Sequence, residues 1–201
     1  MLGAGKKVIN EMVNFNKKLT TTIISIVSIL IITSIILHLE GRSLICSSGK
    51  VFFWVRDIWS SDNSQHLFDP YSFTHLLHGF IFSWILILLN SKVSLNWQFI
   101  IAVIIESLWE ILENSNFIIN IYRANTIAIG YQGDTIINSI SDIVCCSIGF
   151  IIAKYLGFRK SIVVFILTEI ILFIWIRDSL VLNIIMLIYP IKEIKQWQMV
   201  K

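Results

Sequence analysis

Long apolar runs, rather than amphipathic stripes, organise this chain. A membrane-spanning helix needs about 20 mainly apolar residues. Five segments approach that length: Leu19–Leu39, Phe73–Leu89, Trp97–Ile119, Asp134–Leu156 and Ser161–Tyr189. The first is rich in isoleucine and carries only Ser and Thr as polar groups before His38. The third begins apolar and then gains glutamates, and the fifth is interrupted by Arg177-Asp178. That last segment reads either as one long tilted helix or as a helix that breaks at the charged pair and turns back. The pattern therefore predicts an all-α integral membrane protein: a bundle of about five transmembrane helices in a single multi-pass domain, residues 1–201, with one long extracytoplasmic loop.

Residues 1–18 read as a cytoplasmic tail, 40–72 as the extracytoplasmic loop and 190–201 as a C-terminal tail. The orientation follows the basic flanks. Lys6, Lys7, Lys17 and Lys18 precede the first span, which puts the N-terminus in the cytoplasm. Lys92, Lys154, Arg159 and Lys160 then fall inside, and Arg123 outside. Lys192, Lys195 and Lys201 fall outside too, against the rule, so the side of the tail stays open. The first apolar run exceeds the length of a signal-peptide core, and no small-x-small cleavage site follows it, so it reads as an uncleaved anchor. The loop carries Phe52, Phe53, Trp54 and Trp59, aromatic residues suited to headgroup depth.

Composition sharpens this picture. Of 201 residues, 56% are hydrophobic and 14% charged, against roughly 25% charged in soluble domains. Sixteen Lys and Arg against 13 Asp and Glu leave a net charge of +3, too weak and scattered for nucleic acid. Three cysteines build no disulfide framework: Cys46 stands by itself in the loop, and Cys145-Cys146 are adjacent on a helix. No internal repeat is visible, which weighs against repeat-built transporters.

The chemistry sits in polar residues at membrane depth, where ionisable groups face bundle interiors or cavities. Glu106, Glu110 and Glu113, at i, i+4 and i+7, share one helix face. Asp134, Asn138 and Asp142 repeat the pattern on the next segment, with Asp134 placed to cap its helix. His75 and His78, at i and i+3, point to one side, and two imidazoles so placed bind a divalent metal when carboxylates complete the sphere. Arg177, or Arg123, is the natural counterion for a buried carboxylate cluster. The candidate catalytic set is therefore His75, His78, Glu106, Glu110, Glu113, Asn138, Asp142 and Arg177, and the candidate metal ligands are His75, His78 and Glu110. Gly79, and the small pair Gly149 and Ala153, predict close helix contacts.

Several of these strings carry a resemblance. Gly41-Arg42, SDNSQH at Ser61–His66, HLLHGF at His75–Phe80 and ESLWEILENS at Glu106–Ser115 are matched by Tyr122-Arg123, GDTIINSISD at Gly133–Asp142 and Gly149-Phe150. RDSLVLNIIML at Arg177–Leu187 and Trp197-Gln198 complete the set. Together they resemble an uncharacterised bacterial inner-membrane family, number three hundred and fourteen of the uncharacterised protein families. The resemblance covers most of the chain from Gly41 onward and implies a multi-pass protein of the bacterial inner membrane. It implies no chemistry. The family pattern in the loop is Cys-x-Cys-Gly, whereas this chain reads Cys46-Ser47-Ser48-Gly49, which argues against a metal or redox role there. A shorter resemblance, to VanZ-like membrane proteins, rests on Glu113, Arg123, Asp134, Asn138 and Gly149 and implies handling of envelope lipid or glycolipid.

Three functions fit these residues. The leading expectation is a binding or assembly protein of the cell envelope, with lipid bilayer, envelope lipid or a membrane protein as partner. The alternatives are an intramembrane enzyme acting on a lipid or lipid-linked substrate and a proton-coupled transport module. The enzyme reading requires the polar faces of three helices to meet in one pocket.

Overall fold

The computed structural model describes residues 2–87 and 93–199, and for residues 2–15 the backbone alone. Leu89, Lys92 and Lys201, and the side chains of Lys6 and Lys7, lie outside the described residues. The helices are α1 (Leu2–Leu39), α2 (Ser72–Ile87), α3 (Leu95–Glu113), α4 (Asn116–Asn125), α5 (Ile136–Ile176), α6 (Leu180–Ile188) and α7 (Lys192–Met199). Among the described residues a single bridge, Trp54 with Phe68, is the whole of the extended pairing. Three stretches, Asn16–Leu39, Leu95–Glu113 and Ile136–Ile176, are long and apolar enough to cross a membrane, and Ser72–Ile87 is a shorter apolar helix.

Helix boundaries follow local chemistry. In α1, hydroxyls fold back onto the preceding turn, with Thr33 Oγ1 2.9 Å from the Ile29 carbonyl and Ser34 Oγ 2.8 Å from that of Leu30. Their polarity is thereby satisfied within the helix. The helix ends in a Schellman turn: Arg42 N–H donates to Leu37 and Gly41 N–H to His38, while Gly41 takes φ +86°. The third predicted segment does not run on to Ile119. It stops at Glu113, because Asn114 caps α3 and Ser115 starts α4 by accepting from Ile118 N–H. The fifth predicted segment breaks at the charged pair. Arg177 adopts φ +54°, Ser179 caps α6, and the Glu169 carboxylate accepts from Leu180 and Val181 N–H at 2.9 and 3.1 Å.

The 41-residue α5 is two arms, 136–156 and 158–176, separated by Gly157 at φ 73°, ψ 166°. The chain reverses there. On the first arm Asp142 lies beside His75, near the start of α2. On the second arm Ser161 accepts from the Trp84 indole at 2.8 Å near the end of α2, and Trp175 meets Phe73 at its start. Thus α1, α2, α3 and the two arms of α5 run alternately up and down, with α2 clasped between the arms. Helix α2 touches the first arm backbone to backbone: a Cβ on Gly79 would lie 2.0 Å from the Cys146 carbonyl oxygen, and one on Gly149 1.9 Å from that of Leu76. This approach sets the histidines of α2 against α5.

The loop between α1 and α2 folds over one end of the bundle. Its carbonyls at Ser64, Ser43 and Leu44 accept from Thr135, Ile136 and Ile137 N–H, occupying the donors that an α-helix leaves free at its start. Thr135, not the expected Asp134, is the N-cap, accepting from Asn138 N–H. Asp69 holds the corner into α2, taking Tyr71 N–H at 2.7 Å and Ser64 N–H at 2.9 Å. The C-terminal helices gather at the same end, where Tyr71 donates to Asp178 at 3.2 Å and Lys195 to the Ala124 carbonyl at 2.6 Å.

Candidate functional site

His75 and His78 reach from α2 toward α3. The His75 Nδ1 lies 2.7 Å from Glu106 Oε1, and the His78 Nδ1 lies 3.0 Å from both Glu106 oxygens. Glu110, one turn further along α3, places Oε1 3.1 Å from the same His75 nitrogen. From α5, Asp142 Oδ2 comes to 3.9 Å from His75 Nε2. Glu106 and Glu110 are wholly buried. One ring nitrogen carries one proton, and the bond from His75 goes to Glu106. Both Glu110 oxygens are consequently left without a donor, as are one oxygen each of Glu113 and Asp142.

This cluster borders a cavity of about 470 Å³. His75, His78, Glu113 and Asp142 form its wall on one side, and Tyr71, Tyr122, Tyr131, Asp134 and Asp178 its wall near the covered end. Towards the exterior it is lined by Ile105, Leu108, Leu112 and Ile184, which are themselves 39, 60, 48 and 42% exposed. The cavity therefore opens through an apolar portal. Asp134 is tied down by Asn114, which donates from Nδ2 at 3.0 Å and accepts Asp134 N–H at 2.6 Å, and by the Tyr131 hydroxyl at 2.9 Å. Burial, reinforced by the Glu113 charge, pushes the Asp134 carboxyl up to about 7 against those hydrogen bonds. Burial does the same to Asp178, also up to about 7.

The structure brings together His75, His78, Glu106, Glu110, Glu113 and Asp142. The remaining two candidates are placed elsewhere. Asn138 donates to the Leu67 carbonyl at 3.4 Å, anchoring the loop. Arg177 donates to the Trp197 carbonyl at 3.2 Å and lies over that indole, so the ionic partners of Glu106 are the histidines. Arg123 donates to the Tyr131 carbonyl. Glu106, rather than Glu110, is the carboxylate that both imidazoles reach. Two sets of side chains have ligand atoms close enough to share one ion: His75, His78 and Glu106, and His75, Glu110 and Glu113.

Sequence reasoning missed Asn114, Tyr71 and Tyr131. Asn114 extends the glutamate ladder by one turn from Glu110, a legible signal, whereas the tyrosines sit in loops with no periodicity. Cys46 is not by itself: its thiol lies near Asp62 and His66, both close enough to join it around one ion. Phe52 N–H donates to His66 Nδ1 at 3.2 Å, so His66 Nε2 carries the ring proton and offers no lone pair to a metal in this arrangement.

Fold and site define a protein that is helical across its described residues, with three helices long and apolar enough to cross a membrane and a buried histidine–carboxylate centre beside an apolar-mouthed cavity. The family model for a protein of unknown function, DUF2585, matches residues 37–200. Over 173 residues the chain is 41% identical to a UPF0314 protein of Brucella anthropi, covering 86% of this chain and 88% of that one. Similar relatives occur in Paracoccus denitrificans (41% over 158 residues, 79 and 82% of the chains) and Rhizobium meliloti (38% over 176 residues, 88 and 89%). The chain belongs to this UPF0314 family. No solved structure matches it.

Proposed function

We propose that the protein is a metal-dependent intramembrane enzyme that hydrolyses a bond in the polar head of an amphiphile seated in the cavity. The observation that carries this reading is Glu110: a fully buried carboxylate with no hydrogen-bond donor on either oxygen, 3.1 Å from an imidazole nitrogen already committed to Glu106. A buried carboxylate that shares its one nearby imidazole with a second carboxylate is costly in low dielectric. A divalent cation held by His75, His78 and Glu106, with Glu110 beside it, offsets that cost, and two imidazoles with carboxylates are a donor set for zinc, iron or manganese. Held there, such an ion would supply Lewis-acid chemistry, lowering the pKa of a water beside it. Asp142, whose side chain borders the cavity, is placed to take a proton from a water that adds to the substrate and to return it to the departing group.

The up-and-down order of five helical rods supports five membrane crossings, with the N-terminus cytoplasmic and the 40–72 loop and C-terminal helices together on the outer side of the bacterial inner membrane. Assembly, the leading expectation from sequence, allows closed polar pairs with no cavity. A cavity bordered by His75, Glu113 and Asp142 and reached past apolar side chains favours chemistry on a lipid instead. In a deletion strain, Glu110→Gln and Asp142→Asn variants at wild-type abundance are expected to leave the membrane lipid profile of the deletion unrestored. Full restoration by both would remove the enzyme reading.

A further inference from the structure

The two ends of the bundle use their cations differently. At the loop-covered end Arg42, Arg123 and Arg177 each donate to a backbone carbonyl, those of Gln132, Tyr131 and Trp197. The remote end is built from residues 16–30, 80–87, 93–105 and 146–168, which hold five cations, Lys17, Lys18, Lys154, Arg159 and Lys160, and no Asp or Glu. Lys154 donates to Gln98 Oε1 at 2.7 Å, joining α5 to the start of α3. Lys17, Lys18, Arg159 and Lys160 are exposed, and their side chains meet no acceptor among the described residues. Free cations gathered where helices leave the hydrocarbon attract an anionic leaflet. Two of the four border a groove of about 210 Å³ between α1 and α3. Lys17, Lys18 and Thr21 form one wall, and Ser94, Asn96 and Trp97 the other. Asn96 Nδ2 donates to Thr22 Oγ1 at 2.9 Å and ties the walls together. The N-cap of α3, Ser94, makes no side-chain cap bond, and the first turn of that helix holds no acid. Beside the two ammonium groups stand the N–H groups of a helix start, which suit a phosphate oxygen. Trp97, 56% exposed, is placed as indoles are at headgroup depth.

We infer that this groove holds the phosphodiester head of an anionic phospholipid. The inference rests on the reading of the chain as membrane-spanning and is independent of the enzyme reading. The full chain in mild detergent is titrated with phosphatidylglycerol, with phosphatidylcholine and, as a soluble source of the same group, with glycerol phosphate, and retention is read by native mass spectrometry. Phosphatidylglycerol is expected to bind about tenfold more tightly than phosphatidylcholine, within what two lysines at a headgroup supply, and glycerol phosphate is expected not to be retained. Lys17→Gln/Lys18→Gln should erase the preference. So should Ser94→Asp, which puts a carboxylate into the groove while giving α3 the cap it lacks, so that its unfolding midpoint does not fall. Arg159→Gln/Lys160→Gln removes the same charge from the same end, outside the groove, and should keep the preference. Equal retention of the two lipids overturns the site. Equal loss in the two double variants also overturns it, because the attraction would then belong to the whole end. Retention of glycerol phosphate at the level of phosphatidylglycerol overturns the lipid as the source. Each of these leaves the membrane reading standing, whereas recovery of the chain in the soluble fraction of lysed cells overturns both.

Discussion

At the scale of single residues, the site is defined by buried carboxyls, and Asp178 gives that a thermodynamic consequence. It lies outside the long helices, is 2% exposed, and burial holds its carboxyl near 7 although Ser179 N–H and the Tyr71 hydroxyl both bond it. An unfolded chain holds the same proton only below about pH 4. Folding therefore takes up a proton between the two values. The contribution to stability is complete below about pH 4, falls as pH rises and is fully lost above about pH 7. Asn at this position mimics the neutral acid. The thermal unfolding midpoint of the detergent-solubilised protein should fall between about pH 4 and 7, and fall less in Asp178→Asn, the difference being at most about 4 kcal/mol for a three-unit shift. Parallel pH profiles for the two proteins would show that the carboxyl is not held neutral. Spacing along the chain revealed Glu106, Glu110, His75 and His78, because helical periodicity alone puts them on common faces. It could not reveal that Asn114 and Tyr131 clamp Asp134, since those bonds join α3, a loop and the start of α5. Arg177 looked like the counterion because it is the cation nearest the fifth segment's polar positions, but its left-handed conformation turns it onto Trp197.

At the scale of elements, the site depends on how closely α2 approaches the first arm of α5. Gly79 and Gly149 face each other's helix backbones, where an added methyl meets carbonyl oxygens that cannot swing away. Gly149→Ala should destabilise the protein by about 1–3 kcal/mol, the usual range for overpacking, and should pull the His75–Asp142 pair apart. Gly130, where an added methyl would meet nothing within 4 Å, is the control, and Gly130→Ala should stay within about 0.5 kcal/mol. Equal stabilities in a denaturant series would refute the close contact. The two glycines were visible in the sequence as small residues on apolar helices, but their meeting was not. Gly149 was paired there with Ala153 on its own helix, and only the fold shows that its neighbour is Leu76 of α2. Hydropathy also ran past two boundaries. Apolar residues resume beyond the Glu113–Asn116 polar stretch, at Phe117–Ile119, so a window average carries the span on to Ile119. The break at Arg177 was one of two readings that the sequence left open.

At the scale of the whole molecule, alternating rods hold a polar centre inside an apolar exterior. Ile23, Ile24, Val27, Ile31, Ile32 and Ile35 of α1 are each about half exposed, a surface that water would not tolerate over that extent. The loop and the C-terminal helices close one end of the bundle, while the cavity opens sideways between α3 and α6. The long apolar helices were legible because a run of about 20 apolar residues carries its own signal. The cavity was not, because it arises where five helices, α2 to α6, and three connecting segments fail to fill space. The central claim is that the histidine–glutamate cluster holds a divalent metal. The most direct measurement is elemental mass spectrometry on protein purified in mild detergent without chelator, beside the His75→Ala/His78→Ala double variant, with folding of both checked by circular dichroism. Near-stoichiometric zinc, iron or manganese in the wild type, lost in the folded variant, is the expected result. A folded wild-type protein that carries no metal and takes up none on titration would contradict it.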